Sequence, residues 1–452
     1  MPSTQPKPTI IGSGVSGLLI SHALSKAEID HVLIGDPPSV GSPRLGESLG
    51  IPASVHLLTE FPDLAQFFGP KSHARAFAGD QSGGFHFDIC RSPAMKLALR
   101  HWHKRCPDYA LHLDRTEFDA ALYAKAIASP YCAPIADRVT AVHVLPGSDK
   151  ISRLDLDDTG ELAVSHVFDA SGHVRLLARH LSIPRRMLGA PQNVVFAHYF
   201  KAEQDTSNGG QARRDAAKQD DLDWRHGTTL LRLYREIDGF DGMAWCIPLG
   251  DKVSIGVSTP ANGPEQTAEA LLAQAQTRFA HYNVDYGDSF TVRSRVGRAK
   301  MEFYTHARAC GSNWLLAAAA HSQIWWMTSS GLDWSAAAAV AAVPFLRKPA
   351  QTAQRYEAGW KSVERLHGLW GRIAEHPYRT PKDEDIRKLE NELAWLVTAR
   401  LAQMVHMEQE DRLSAFSSRF VSAAISANVQ RHLPATIIPQ HDPRLYSTHR
   451  KA

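Results

Sequence analysis

The hydrophobic and polar positions at the start of the chain predict a strand, a turn, a helix and a second strand. Residues 9–11 are a short apolar and β-branched run, and the sequence GSGVSG follows at once at residues 12–17. Apolar residues then recur at helical spacing to about Lys26, and a second apolar run covers residues 31–34. This order of elements sets the context in which the glycine-rich sequence is interpreted.

A GxGxxG sequence between a strand and a helix is typical of a dinucleotide-binding turn. Gly12 permits the tight turn, Gly14 lets the backbone approach a pyrophosphate, and Gly17 lets helix and strand pack closely. The helix N-terminus then offers free N–H groups and the positive end of its dipole to the phosphates. Asp36 lies one residue beyond the usual place of the ribose-binding acid, so it either binds the ribose or caps the following turn.

Further along, the pattern changes from strands to helices. The apolar runs at residues 194–200, 228–234, 245–249 and 253–257 predict an antiparallel sheet, and the polar stretch at 205–226 predicts a loop. Beyond residue 340, helical spacing covers residues 351–374, 381–404 and 412–432. The chain is therefore expected to be of the α/β class with a helical C-terminal part.

The composition of the chain argues against several classes of function. The chain has 452 residues, 44% of them hydrophobic, with 50 Lys and Arg against 47 Asp and Glu. This is ordinary for a globular protein and gives no electrostatic basis for binding nucleic acid. No apolar run is long enough to span a membrane, and the N-terminus lacks a signal-peptide pattern, so a cytoplasmic location is expected. The five cysteines contain no CxxC pair, so neither a disulfide framework nor a metal site is predicted.

Four later segments carry a family resemblance. They are RLGESL at residues 44–49, HLDRTEFD at 112–119, VFDASG at 167–172 and MAWCIP at 243–248. Together with the glycine fingerprint, in this order and spacing, they resemble the FAD-dependent monooxygenase and halogenase superfamily over residues 9 to 340 or so.

The resemblance implies a Rossmann-type FAD-binding domain interleaved with an antiparallel-sheet substrate domain, plus a C-terminal helical lobe. The expected ranges are 1–190 and 290–345 for the FAD-binding domain, 191–289 for the substrate domain and 346–452 for the lobe. Expected FAD contacts are Gly12, Gly14, Gly17, Asp36, Arg44, Glu47, Ser48, Arg115, Asp169, Gly172, Ser330, Gly331 and Leu332. Taken alone, Arg115 and Asp119 equally suit a helical i,i+4 pair, and Glu47 equally suits a cap.

The second FAD segment of that superfamily reads roughly WLLVGDAAGFIDPxFSSGV, and residues 314–332 align with it without a gap. The Gly-Asp pair is replaced by Ala318 and Ala319, and the Asp-Pro pair by Trp325 and Trp326. The Ser-Ser-Gly element at 329–331 is kept, and its helix N-terminus is expected to face the flavin ring. Because Ala319 cannot replace the acid that contacts the cofactor, weaker FAD binding is expected.

No residue stands out as catalytic. The weak candidates are His321, Trp325 and Trp326. A histidine at position 321 is more often a satisfied buried side chain than an acid or base. The two tryptophans could hold an aromatic substrate near the flavin or simply pack in the core.

The resemblance implies an FAD-dependent monooxygenase that hydroxylates an electron-rich aromatic substrate through a flavin C4a-hydroperoxide. Oxygen is the expected co-substrate, and NAD(P)H or a separate reductase the expected electron source. The resemblance extends to flavoproteins that oxygenate a protein-bound tryptophan during tryptophylquinone maturation, so the substrate can be a peptide or protein. No nucleic-acid or membrane partner is expected.

Two alternatives stay open. A flavin-dependent halogenase of an indole, pyrrole or phenol needs a lysine after the GES segment, and Lys71 lies near that place. The surrounding pattern does not fit, so Lys71 is predicted to be a solvated lysine, and Met243 replaces the first tryptophan of the halogenase WxWxIP sequence. The other alternative is a non-catalytic flavoprotein that binds a partner, which the Ala318-Ala319 replacement would suit.

Overall fold

The structure is a computed structural model that describes residues 5–39, 43–78, 84–90, 109–201, 228–234, 242–249, 252–262, 266–280, 290–324 and 331–360. Several predicted features lie outside these residues: Trp325, Trp326, Ser330, the loop at 205–226 and the helices predicted after residue 360.

The strands and helices of the described residues are as follows. The strands are β1 (Lys7–Ile11), β2 (His31–Ile34), β3 (Phe68–Lys71), β4 (His73–Ala78), β5 (Gly84–Asp88), β6 (Ala110–Leu113), β7 (Cys132–Ile135), β8 (Val139–Val144), β9 (Ile151–Leu156), β10 (Gly160–Asp169), β11 (Arg185–Met187), β12 (Gln192–Lys201), β13 (Thr228–Tyr234), β14 (Gly242–Pro248), β15 (Lys252–Pro260), β16 (Phe290–Arg293), β17 (Gly297–Met301), β18 (Tyr304–His306), β19 (Trp314–Leu316) and β20 (Ser322–Gln323). The helices are α1 (Val15–Lys26), α2 (Ile51–Glu60), α3 (Arg115–Ile127), α4 (Leu176–His180), α5 (Ala268–Ala280), α6 (Gly331–Arg347) and α7 (Pro349–Trp360).

The first sheet is built around parallel strands. Its order is β7-β2-β1-β10-β9-β8, and β19 also pairs with β10. The pairs β7–β2, β2–β1, β1–β10 and β10–β19 are all parallel. Because parallel strands end at the same edge, the turns after β1, β2, β10 and β19 are brought together there. The predicted strand, turn, helix and strand at the N-terminus are confirmed.

The second sheet has eight strands in the order β16-β12-β15-β14-β13-β4-β5, with β17 also paired to β12. All neighbours are antiparallel except β13 and β4, which are parallel. The predicted antiparallel sheet is therefore confirmed, and the α/β class with it. Strands from 73–88 and 290–301 join this sheet, while the division into three ranges stays a prediction.

Helix α6 packs against α1, α2 and α7. Its alanines, including Ala336–Ala339, are buried, and their small side chains allow close packing against α1. The hydroxyls of Ser16 on α1 and Ser335 on α6 are hydrogen-bonded at 2.7 Å. The N-terminal turns of these two helices therefore lie side by side.

Helix α7 begins the C-terminal helical part. Trp360 stacks on Trp334 of α6 with 4.0 Å between ring centroids, and the Tyr356 hydroxyl donates to Leu316 O. The predicted C-terminal helix is confirmed as far as residue 360. None of the helices in the described ranges is long and apolar enough to cross a membrane.

Ala318 adopts the left-handed backbone conformation, with φ of +46°. This is the position where the aligned sequence of the resembling superfamily has glycine. An L-residue in this region costs about 1–2 kcal/mol relative to its usual conformations. The turn after β19 therefore keeps a glycine-like backbone although its glycine is replaced.

We predict that Ala318→Gly raises the free energy of unfolding by about 0.5–1 kcal/mol, because glycine relieves this strain but loses more entropy on folding. The neighbouring Ala317 has φ of −97°, so Ala317→Gly should instead destabilise. Chemical denaturation of the two variants checks the pair. Equal destabilisation by both would contradict the assigned strain.

Candidate functional site

In the glycine turn after β1, two glycines pack closely against neighbouring backbone and a third faces open space. A Cβ on Gly12, whose φ is +108°, would lie 2.5 Å from Ala170 O, and one on Gly17 would lie 1.9 Å from Gly12 O. A Cβ on Gly14 would meet no atom within 4 Å. Gly12 and Gly17 therefore allow close packing, and Gly14 leaves the start of α1 open to a ligand.

The turn after β2 places Asp36 at the same edge. Its backbone carbonyl accepts a hydrogen bond from the Ser13 hydroxyl in the glycine turn. Asp36 is exposed, and Gly35 has φ of +142°. Asp36 therefore lies beside the glycine turn, and its contact with a ribose stays a prediction.

The turn after β10 is held by Asp169. Its carboxylate is fully buried and accepts hydrogen bonds from the backbone N–H groups of Ser171 (2.9 Å) and Leu177 (2.8 Å). Burial raises the pKa of Asp169, although these hydrogen bonds oppose the rise. The side chain shapes the turn, while Gly172, with φ of +63°, faces open space.

Arg115 and Arg44 both bind Asp119. The Arg115 guanidinium contacts the two carboxylate oxygens at 3.0 and 2.6 Å and also donates to Leu45 O, and Arg44 lies 3.4 Å from the same carboxylate. Burial disfavours the charged guanidinium, but Asp119 outweighs it and the pKa of Arg115 is raised. The helical i,i+4 pair is thus present, and FAD contacts by either arginine stay predictions.

Glu47 pairs with His198, a residue that the sequence reading did not single out. The Glu47 Oε1 and His198 Nε2 atoms are hydrogen-bonded, and the two side chains are only 2% and 1% exposed. Glu47 therefore does not act as a cap but links the GES segment to β12. The next residue, Ser48, is also buried, and its backbone forms an antiparallel β-bridge with His112. The sequence signal that could have identified His198 is its position within an otherwise apolar strand.

A second polar contact joins the HLDR segment to the second sheet. Lys252 at the start of β15 pairs with the Asp114 carboxylate and donates to Thr116 Oγ1 at 3.1 Å. Asp114 is also the N-cap of α3, where its side chain accepts from Thr116 N. The HLDR segment is thereby anchored to the second sheet.

Three helix N-termini converge beside the glycine turn. Asp333 in the first turn of α6 accepts a hydrogen bond from Ala53 N at 2.9 Å, and a Cβ on Gly50 would lie 2.3 Å from its carboxylate. Asp333 therefore caps α2. Since Ser16 and Ser335 join α1 to α6, all three helix starts meet here. Gly331 is exposed and faces open space, whereas Leu332 is buried.

The prediction that Lys71 is solvated is wrong. Lys71 is 3% exposed, and its Nζ donates to Leu49 O at 2.9 Å. Strand β3 pairs with β6, which turns this end of the strand into the interior. Burial lowers the pKa of Lys71 to about 7, with the nearby Asp333 charge opposing the shift.

His321 is a buried histidine, as predicted. It is 3% exposed, its Nδ1 is hydrogen-bonded to the Ser322 hydroxyl at 2.6 Å, and its ring lies 4.6 Å from that of Trp360. Burial lowers its pKa to about 3, so the ring is neutral at neutral pH.

The second sheet contributes two aromatic rings to the main buried core. Phe196 and Trp245 lie 6.3 Å apart and belong to the same buried cluster as α1 and α6. Gly297 and Gly256 make room for them, because a Cβ on either would lie within 2.5 Å of the opposing ring. These two rings are therefore packed in the core between the second sheet and the helices.

Solved structures share this fold. The flavin-dependent brominase Bmp2 has a TM-score of 0.65 at 17% identity, over 94% of this chain and 99% of its own. A variant of the halogenase PltM in complex with FAD has a TM-score of 0.64 at 14% identity, over 93% and 86%. The flavin-dependent halogenase CmlS has a TM-score of 0.62 at 19% identity, over 94% and 78%. No protein-family model and no curated protein sequence matches the chain.

We predict opposite behaviour for two glycines of the turn. Gly17→Ala should lower the free energy of unfolding by more than about 2 kcal/mol, because its methyl group overlaps Gly12 O. Gly14→Ala should leave stability nearly unchanged but weaken FAD binding at least tenfold, because its methyl group enters the open space. Thermal denaturation and fluorescence titration with FAD measure the two effects. Unchanged FAD affinity in Gly14→Ala would rule out this use of the turn.

Proposed function

We propose that the chain is an FAD-dependent oxidoreductase that oxidises an electron-rich aromatic substrate. One observation carries this: the open glycine turn lies at the carboxyl edge of the parallel strands, next to the exposed N-terminus of α6. The shared fold with the PltM–FAD complex supports the choice of FAD.

The residues present fit this cofactor. Gly14 and the first N–H groups of α1 would hold the pyrophosphate, Asp36 the ribose, and Gly331 at the start of α6 the pyrimidine edge of the flavin ring. Gly172 offers further open space along the cofactor. Ala319 is half-buried and contributes no carboxylate, so tight retention of FAD is not expected.

When bound and reduced, FAD would supply oxygen activation, with O₂ as co-substrate and NAD(P)H or a separate reductase as electron source. The chain's own residues bind, orient and exclude water. Phe196, Trp245 and Met243 belong to the same buried apolar cluster as α1 and α6, and we infer that this cluster excludes water from the cofactor. His321 remains neutral and positions neighbouring groups rather than transferring protons.

We propose hydroxylation as the reaction. Met243, which replaces the first tryptophan of the halogenase-like segment, supports it, and the resemblance favours a protein-bound tryptophan as the substrate. The maturation of a tryptophylquinone cofactor is the most specific form of this proposal.

Halogenation is a second candidate, and Lys71 favours it. A buried lysine whose pKa is lowered to about 7 carries a neutral, nucleophilic amine in a large fraction of molecules at neutral pH. Such an amine can take up an electrophilic halogen. Its neighbour Asp333 lies in the first turn of α6, which places Lys71 at the same convergence of helix ends.

The test supplies reduced FAD, oxygen and a tryptophan-containing peptide, with and without bromide, and analyses the products by mass spectrometry. Oxygen incorporation in both cases supports hydroxylation. Bromine incorporation supports halogenation. If FAD binds but no aromatic substrate is oxidised, both reactions are excluded, and the alternative of a non-catalytic flavoprotein that binds a partner is favoured.

Lys71→Met separates the two reactions. If the chain brominates, this variant should lose at least a hundredfold in rate, and bromination by the unsubstituted protein should increase as the pH rises through about 7, where Lys71 loses its proton. Hydroxylation should survive the substitution. Lys26→Met, at a side chain that is 63% exposed, is the matched control. Bromination that persists in Lys71→Met would eliminate the lysine's role.

A further inference from the structure

The turn after β19 keeps a left-handed backbone at an alanine. Ala318 has φ of +46°, a conformation that the Cβ of an L-residue disfavours and that glycine adopts readily. Within the turn, Ala320 N donates to Ala317 O and His321 N donates to Ala318 O, each at 3.0 Å. A non-glycine residue stays in this conformation only where the surrounding structure enforces it. A contact from outside the turn is therefore expected.

Tyr304 of β18 makes such a contact. Its hydroxyl donates a hydrogen bond to Ala319 O, the carbonyl directly after the left-handed residue. Tyr304 is 1% exposed, and burial raises the pKa of its hydroxyl, so the proton that this bond needs is retained. Rotation of the Ala319 peptide group would leave the buried hydroxyl without its acceptor, at a cost in free energy.

The ring of Tyr304 is held in place independently of its hydroxyl. The guanidinium groups of Arg175 and Arg185 lie 4.9 and 5.6 Å from the centre of the ring, and both approach the Glu302 carboxylate, at 3.7 and 2.7 Å. In addition, β18 pairs with β20, where Tyr304 lies opposite Gln323. Phenylalanine at this position would therefore keep the ring contacts and lose only the bond to the turn.

Other bonds fix the chain before the turn. Ala317 N donates to Asp169 O at 2.8 Å, and the Tyr356 hydroxyl donates to Leu316 O at 3.1 Å. Both bonds precede the left-handed residue, whereas Tyr304 binds the carbonyl that follows it. The conformation of the left-handed residue is thus controlled from the side of Tyr304.

The same turn lies beside the predicted cofactor. The 3₁₀ turn at Gly172–Val174 contacts the one at Ala318–Ala320, and Gly172 faces open space. In the aligned FAD segment of the resembling superfamily, positions 318 and 319 are glycine and aspartate. Since Ala319 brings no carboxylate, only the backbone of these two residues is left to meet FAD, and its shape depends on Ala318.

We propose that Tyr304 is a positioning residue, whose hydroxyl holds Ala318 in the conformation that glycine would adopt unaided and so keeps the turn after β19 ready to bind FAD. The part that concerns FAD rests on the proposed function, and the holding of the turn does not. If the hydrogen bond is lost, only a fraction of molecules keeps the native turn, and the apparent affinity for FAD falls by that fraction.

The first experiment follows the turn without FAD. Hydrogen exchange of residues 317–323 is measured by mass spectrometry, and we expect it to be at least tenfold faster in Tyr304→Phe, because the turn opens more often. In Tyr304→Phe/Ala318→Gly the rate should return to within about threefold of the unsubstituted protein, because glycine adopts the left-handed conformation without the hydrogen bond. Ala318→Gly alone should change the rate little.

Tyr356→Phe is the matched control, because it removes another buried tyrosine hydroxyl that binds a backbone carbonyl, before the turn instead of within it. Adding Ala318→Gly to it should produce no comparable rescue. Three results would overturn the proposal: unchanged exchange in Tyr304→Phe, faster exchange that Ala318→Gly does not reverse, or the same reversal in Tyr356→Phe. Circular dichroism confirms that each variant is folded.

The second experiment measures FAD binding to the same variants by fluorescence titration. Tyr304→Phe should weaken the affinity at least tenfold, and Tyr304→Phe/Ala318→Gly should regain most of it. Affinity that is unchanged in Tyr304→Phe, or that Ala318→Gly does not restore, would overturn the role of the turn in binding FAD. If the unsubstituted protein does not bind FAD, the proposed function fails, while the exchange of residues 317–323 still decides whether Tyr304 holds the turn.

Discussion

The site depends on the contact between the starts of α1, α2 and α6. The Ser16–Ser335 hydrogen bond fixes α6 against α1, and Asp333 uses its carboxylate to cap α2. Each helix start brings backbone N–H groups and a partial positive charge to one place. Asp333 satisfies part of this charge at α2, while Gly14 and Gly331 leave the other two helix ends open. Open helix N-termini of this kind suit an anionic group, as the proposed binding of FAD requires.

The second sheet is held over that region by two polar contacts as well as by its apolar face. Glu47 and His198 are buried partners, and Lys252 binds the N-cap residue of α3. Buried polar groups that are fully paired favour one arrangement over others, since a shift of either layer would leave a charge without a partner. These two pairs therefore fix the second sheet against the GES and HLDR segments.

The strands and helices could be predicted from the local sequence, whereas the burial of individual polar residues could be seen only in the tertiary structure. The strands and helix around 12–17 follow from the period of the apolar residues, and Asp114 marks a helix start through capping chemistry alone. Lys71 was misread because its exposure depends on β6, which follows about 40 residues later in the chain. Likewise, no sequence pattern connects His198 with Glu47, so their pairing is seen only in the tertiary structure.

A crystal structure of the protein with FAD tests this account most directly. The pyrophosphate should lie against Gly14 and the first N–H groups of α1, with the flavin ring reaching the start of α6. Absence of FAD at saturating concentration, or FAD bound away from the glycine turn, would contradict it.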